Sequence, residues 1–447
     1  MYRMLFILSA LCYLLPFYLP FFWPLEWLFP PFLYMALTQK TVRLQHCALW
    51  SIGTTFFHIM PLCAALLAMT SRQFYYACIA PGILLGYISL YTLSWLCITL
   101  FVLRKIESLI TSLTFWTLSL WIYLLSLEHV LLWPFGRCEG TLFMNPLLPM
   151  AYAPHILAPL SYLPFSAVVL WFCIITSSST ALYFSDSRTY AWSTMTLILP
   201  WCLMTWHVQS PSTPSWIATV GHLPISLPQS ISLQGAQCVI RYELNRITHT
   251  HPQIRLIILP ESSWNNALLS SAHELTWIKN HTISDLLIGS FYDNGSIQRN
   301  SLYWYQNGTR MQRCDKRHAV PLVERATLNM PQFCSQLYFQ NSLPITPSEK
   351  PRSTLKIPTI PPLSPYICSD LYCNTYSDDE TNNTLLATSN DAWFMPHFTI
   401  LMALAVRFKA IQWHRPILYI SYHHAYYCDP FGKITTLSTA APSRMIQ

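Results

Sequence analysis

The sequence predicts an α-helical transmembrane bundle followed by a single α/β domain outside the cytoplasmic membrane. Three observations predict it. The 447 residues are 53% hydrophobic and only 10% charged, whereas about a quarter of the residues in a soluble domain are charged. Charges are sparse up to about Trp206 and frequent afterwards, which divides the chain into one membrane region and one water-facing domain. Beyond residue 217 the apolar residues gather in short β-rich runs separated by polar stretches, as expected of strands and helices in layers.

A membrane span needs about 20 apolar residues, and long runs lie near 46–70, 76–103, 109–134, 164–183 and 189–206. The opening run from Met4 to about Leu37 is too long for one helix. Pro16, Pro20, Pro24, Pro30 and Pro31 break it, so it reads as two short helices, which makes about seven spans within 1–206. A cleavable signal peptide is excluded by the length of that run and by the spans that follow it. With the N-terminus inside, the cytoplasmic side receives Arg3, Lys40, Arg43, Arg104, Lys105 and Arg188, and the outer side only Arg72 and Arg137. An odd number of spans then delivers the later domain to the outer face. The expected location is a bacterial inner membrane, with the domain in the periplasm.

The outer loop at 135–163 is long, and Trp133, Phe143, Met144, Met150, Tyr152 and Tyr162 lie in or beside it among prolines. These residues suit an aromatic belt at headgroup level or a flap that admits lipid tails. A linker is expected at 207–216, where Pro211 and Pro214 stand among Ser and Thr. From 217 to 447 strands are expected at 237–242, 253–259, 285–292, 301–305 and 417–422. A long irregular loop is expected at 343–365, which holds seven prolines. The net charge of +7 forms no basic stripe and no nucleic-acid motif accompanies it, so no nucleic-acid partner is expected.

Three short segments of the water-facing domain carry chemistry. Glu261 closes an apolar run through Leu259 and Pro260, at the strand end where α/β sites lie. Lys316 stands among Arg313, Arg317 and His318, a positive setting for a thiolate or an oxyanion. Cys368 follows Tyr366 and Ile367 and precedes Ser369 and Asp370, where a strand gives way to a turn. Alone, each has a bland reading: a solvated carboxylate, a basic turn, and a structural Cys or one paired with Cys373. Together they are the parts of covalent acyl chemistry, with a base, an oxyanion holder and a thiol nucleophile. Seven cysteines lie outside the apolar segments, an odd number that leaves at least one thiol unpaired. The pairs His249/His251 and His423/His424, and Cys368 with Cys373, lack a complete four-ligand set, so no metal is expected. With 11 glycines, no phosphate-cradling loop and no G-x-S-x-G elbow, no cofactor is expected either.

Lys316 follows Glu261 by 55 residues and Cys368 follows Lys316 by 52. With these flanks the chain resembles the apolipoprotein N-acyltransferases, membrane members of the nitrilase (carbon–nitrogen hydrolase) superfamily. The resemblance extends over residues 315–324, through Thr388, Ser389, Asn390, Asp391, Ala392, Trp393 and Phe394, to Arg415-Pro416 and to 429–433. It implies an αββα nitrilase-like domain with Glu261, Lys316 and Cys368 as the triad, and with Glu324, Asn390 and Trp393 as supporting residues. It also implies a phospholipid as acyl donor and a diacylglyceryl lipoprotein as acceptor. Where the family has Tyr-Glu after the nucleophile, this chain has Ser369-Asp370, and Pro361, Pro362 and Pro365 interrupt the strand before it. Tyr419 to His424 replace an Arg-Ala-Thr-Asn-like strand. The chain closes on a polar tail where the family has a last transmembrane helix, which suggests a divergent or shortened relative. Conjugal-transfer proteins of the TraB type look similar, with divergent or no catalysis. A membrane-tethered amidase would use the same triad with water as second nucleophile.

Overall fold

The computed structural model describes residues 2–69, 74–129, 144–184, 188–206, 211–223, 233–264, 276, 284–293, 296–319, 345–349, 353–358, 360–371, 384–391 and 396–437. The chain forms two compact units. One comprises Met1–Pro134, Glu139–Gln209 and Phe394–Gln412, and the other Phe135–Cys138, Ser210–Trp393 and Trp413–Gln447.

The first unit holds α1 (Tyr2–Tyr18), α2 (Phe29–Leu37), α3 (Leu44–Met69), α4 (Phe74–Leu103), α5 (Leu109–His129), α6 (Phe165–Phe184) and α7 (Arg188–Trp206). The opening run is divided as its prolines require. Between α1 and α2 lies a 3-10 helix, Pro20–Trp27, in which Pro20 and Pro24 lack the donors an α-helix needs. Among the described residues, three segments are long and apolar enough to cross a membrane: Leu85–Leu103, Leu109–Leu127 and Phe165–Phe184. Polar pairs join neighbouring helices, with Tyr34 Oη and Ser112 Oγ 2.8 Å apart, and Thr117 Oγ1 donating to Ser177 Oγ at 2.7 Å. Trp95 stacks on Tyr123 with ring centroids 4.0 Å apart.

The described part of the outer loop folds into two 3-10 helices, Pro149–Tyr152 and Pro154–Ser161. Leu147, Leu148, Met150, Ala151 and Leu157 are fully buried there, while Tyr152 and Tyr162 are exposed. This stretch is a packed layer rather than an open flap; Trp133 and Phe143 lie outside the described residues. Helix α8 (Leu233–Thr250) belongs to the other unit, and α9 (Pro396–Gln412) to this one. Arg407 of α9 donates to the carbonyls of Ala151 and Tyr152 at 3.1 and 3.2 Å.

The second unit contains two five-stranded sheets. The first runs β1 (Val220–His222), β2 (Leu256–Trp264), β3 (Asp285–Asp293), β4 (Gln298–Gln306) and β5 (Thr309–Asp315) in spatial order. The second holds β6 (Leu363–Ile367), β7 (Thr384–Thr388), β8 (Ile417–Ile420), β9 (Ala425–Cys428) and β10 (Ile434–Thr436), also in spatial order. In each sheet the first three strands are parallel and the last two antiparallel. Alternation along the strands sends one row of each sheet into a shared core, where Leu256, Ile258, Leu287, Leu302 and Trp304 meet Ile367, Leu386, Leu418 and Ile420. The opposite row of the first sheet, including Ile257, Leu259, Leu286 and Ile288, is covered by Ile240, Leu244 and Ile247 of α8.

That helix corrects the strand expected at 237–242. Ile240, Leu244 and Ile247 repeat at helical spacing and form one apolar stripe, which outweighs the β-branched character of the short run. The 343–365 stretch is also less open than expected. Leu355 bridges to Leu363, Leu355, Ile357 and Ile360 are buried in the shared core, and the last residues of the stretch already belong to β6. Pro365 is tolerated inside β6 because that strand lies at the sheet edge.

Candidate active site

Glu261 leaves β2 through an irregularity. The pairing of β2 with β3 runs to Leu259 opposite Ile288 and resumes at Trp264 opposite Ser290, so residues 260–263 face Gly289 alone. Ser262 adopts φ 55° to make the bend. A Cβ on Gly289 would stand 2.7 Å from Glu261 Cα and closer still to the Pro260 carbonyl oxygen. Only glycine leaves room for that approach.

The Glu261 carboxylate is buried and receives three donors. Oε1 accepts from Asn300 Nδ2 at 2.6 Å and from Lys316 Nζ at 3.1 Å, and Oε2 accepts from the Asn390 backbone N–H at 2.8 Å. Asn300 and Lys316 share the inner face of the sheet with Leu302, Trp304 and Cys314, at the end of the same rows. Lys316 has no side-chain exposure. Its N–H donates to the Asn300 carbonyl at 2.8 Å and its carbonyl accepts from the Ser348 N–H at 2.9 Å. Arg313 faces the other way. Arg313 and Arg299 pair with Asp315 at 2.9 and 3.0 Å, so the basic cluster read from the sequence is split by strand alternation.

Cys368 follows β6 directly and begins the 3-10 helix Cys368–Leu371, in the left-handed region at φ 49°. A non-glycine residue held there costs on the order of 1–3 kcal/mol, and here the surrounding hydrogen bonds fix it. The thiol residue is partly exposed and, among the described residues, takes part in no disulfide. Asp370, almost fully buried, accepts from the Ile367 N–H at 3.2 Å through Oδ2, and from the Arg317 and His318 N–H groups at 3.1 and 2.7 Å through Oδ1. The Ser369 hydroxyl donates to the His318 carbonyl. Ser369 and Asp370 therefore bolt the cysteine turn to the residues that follow Lys316. Beside this turn, Ile367 pairs with Thr388 of β7, two residues before the N–H that binds Glu261.

The structure thus brings the three segments to one end of the two sheets. Glu261 and Lys316 touch, and the Cys368 turn is tied to the residues after Lys316 by side-chain hydrogen bonds from Ser369 and Asp370. Asn390 serves through its main chain; Glu324 and Trp393 lie outside the described residues. Asn300 was not singled out in the sequence, and Asp370 and Asp391 were read there only as parts of flanking motifs, without a role in the site. Asn300 carried a signal, a polar residue opening an aromatic strand, whereas the partners of Asp370 lie about 50 residues away. Tyr419 and Tyr422 flank the site, and burial first, then the charge of Asp391 on Tyr419 and of Glu261 and Asp391 on Tyr422, pushes both phenols up. Among the described residues no group of three or more His, Cys, Asp or Glu side chains converges to hold a metal ion.

No protein-family model matches the chain, and no curated protein does. Among solved structures it is similar to a carbon–nitrogen hydrolase from Helicobacter pylori G27, at 12% identity and a TM-score of 0.35, covering 49% of this chain and 84% of that one. It is similar to Saccharomyces cerevisiae Nit3, a member of branch 10 of the nitrilase superfamily, at 16% identity and a TM-score of 0.32, covering 51% and 81%. A third likeness is to a glutamine-dependent NAD+ synthetase from Acinetobacter baumannii, at 13% identity and a TM-score of 0.34; it covers 46% of this chain and 40% of that one.

Proposed function

We propose that the chain is a membrane-bound N-acyltransferase of the carbon–nitrogen hydrolase type, which moves a fatty acyl chain from a phospholipid to the N-terminal amine of a lipoprotein through a Cys368 thioester. The observation that carries this reading is the buried Glu261–Lys316 pair at 3.1 Å, joined through Asp370 to the turn that bears Cys368. In the first step Glu261 takes the Cys368 proton and the thiolate sulfur attacks the ester carbonyl carbon. Lys316 and neighbouring backbone N–H groups hold the oxyanion. The C–O bond breaks, the lysophospholipid leaves with the proton from Glu261, and the thioester remains. In the second step the lipoprotein amine attacks the thioester, its proton passes to Glu261, and the amide leaves as the thiol is restored.

The triad makes no distinction between an amine and water as second nucleophile. The acyl substrate is inferred from the setting: helices apolar enough to span a bilayer precede the domain, and tethering enzyme and lipid substrates to one surface raises their effective concentration. The same reading places the protein in a bacterial inner membrane with the triad on the periplasmic side.

The test is intact-mass spectrometry of the full chain purified in phospholipid, with Cys368→Ala beside it. The expected result is a hydroxylamine-labile fatty-acyl adduct on the wild type and none on the variant. Absence of an adduct on both overturns acyl transfer from phospholipid. An adduct that disappears in water alone, at the same rate with or without a lipoprotein amine, assigns a hydrolase instead.

A further inference from the structure

Asp391 is fully buried and takes no part in the steps above. Its Oδ2 accepts from Ser421 Oγ at 2.7 Å and its Oδ1 from the His423 N–H at 3.1 Å. Ser421 is held at every polar atom. Its N–H donates to the His424 carbonyl at 2.8 Å, its Oγ accepts from the His424 N–H at 2.9 Å, and its carbonyl accepts from His222 Nε2 at 2.7 Å. A carbonyl only accepts, so the His222 proton is on Nε2.

These contacts close a ring around the base. His222 lies on β1 opposite Ile258 of β2, three residues before Glu261. From His222 the contacts pass through Ser421 to Asp391, then along the backbone to Asn390, whose N–H meets Glu261 Oε2 at 2.8 Å. Asn300 and Lys316 occupy Oε1. The contact at Oε2 therefore decides the rotation of the carboxylate about its own axis, and with it the direction in which the base meets a proton. A general base works only when held within a fraction of an ångström of its reaction geometry.

We propose that Asp391, Ser421 and His222 form a positioning network that sets the Asn390 N–H against Glu261 and so aims the base. The inference rests on the reading of Glu261 as the base for Cys368. It adds three residues that touch no reacting atom and act through another group.

Iodoacetamide alkylation of Cys368, followed by peptide mass spectrometry on the full-length protein across the range of thiol titration, tests it without an acyl substrate. Asp391→Asn and Ser421→Ala are each expected to slow alkylation at neutral pH on the order of tenfold and to displace its pH profile in the same direction as Glu261→Gln. Ser421→Thr keeps the hydroxyl and is expected to restore the wild-type profile. If Asp391→Asn and Ser421→Ala match the wild type while Glu261→Gln does not, the network is overturned and the base stands. If Ser421→Thr behaves like Ser421→Ala, the bond to Asp391 is irrelevant and the proposal is again overturned. If Glu261→Gln itself matches the wild type, the reading of Glu261 as base falls and the network loses its object.

Discussion

The two sheets of the α/β unit share one topology and carry different loads. Each has three parallel strands followed by two antiparallel ones, and each pushes a reactive side chain out of its ladder. In the first sheet Glu261 emerges from a strand paired on both sides, by a bulge that needs a glycine on the neighbouring strand. In the second, Cys368 emerges just past an edge strand by a single left-handed residue. The charged pair sits in the sheet whose outer face α8 covers, and the thiol sits where the chain can still meet solvent. An ion pair is useful only when desolvated and held. A nucleophile is useful only when reachable.

The largest expected break in this comparison is Lys316→Met. It leaves the Glu261 carboxylate buried without its counter-charge, and the loss, about 3–5 kcal/mol, should appear as early unfolding of the full chain in detergent by near-UV circular dichroism. Cys368→Ala, on the edge, should leave that transition nearly in place.

The next effect concerns acid. Burial holds the His222 pKa down to about 4 from an ordinary 6.5. The unfolded chain therefore takes up a proton that the folded chain refuses. Stability is intact above about 6.5 and falls as the pH drops towards about 4, by on the order of 3 kcal/mol. A urea series across that window measures it, and His222→Gln, which keeps a donor for Ser421, should flatten the curve.

Asp370→Ala should come third. It strands the N–H groups of Ile367, Arg317 and His318, costs about 2–3 kcal/mol, and separates the cysteine turn from the lysine strand, so adduct formation should fall more than stability does. Gly289→Ala, at about 1–3 kcal/mol of overpacking, should displace Glu261 and show in the same alkylation profile. A Gly289→Ala variant with wild-type stability and profile would mean that the bulge accommodates a side chain.

Much of this site was legible because its residues occur in segments with distinctive flanks. Lys316 and Cys368 each follow the last residue of a strand, and Glu261, expected at a strand end, sits instead at the bulge within β2 where the apolar run stops. The joint between the segments was not legible. Asp370 looks like a departure from a motif until Arg317 and His318 arrive beside it, and Asp391 has no visible purpose until Ser421 does. In the fold, β2, β3, β4 and β8 follow from their β-branched and aromatic runs, while α8 was hidden because a six-residue window cannot tell a helical stripe from a strand. The prolines before Cys368 suggested a broken strand. At a sheet edge they are compatible with an intact one.

Helix α9 decides how the protein can be divided. The chain enters the α/β unit after residue 209, leaves it at Phe394 for one helix packed among the membrane-side elements, and returns at Trp413. Proteolysis in the 207–216 linker should therefore yield two fragments that still copurify, because the second fragment keeps a helix seated in the first. Conversely, a recombinant fragment of 217–447 would carry Leu401, Leu404, Phe408 and Ile411, all buried in the intact chain, without the partners that cover them. Work on soluble pieces of this protein would begin by removing or grafting that helix.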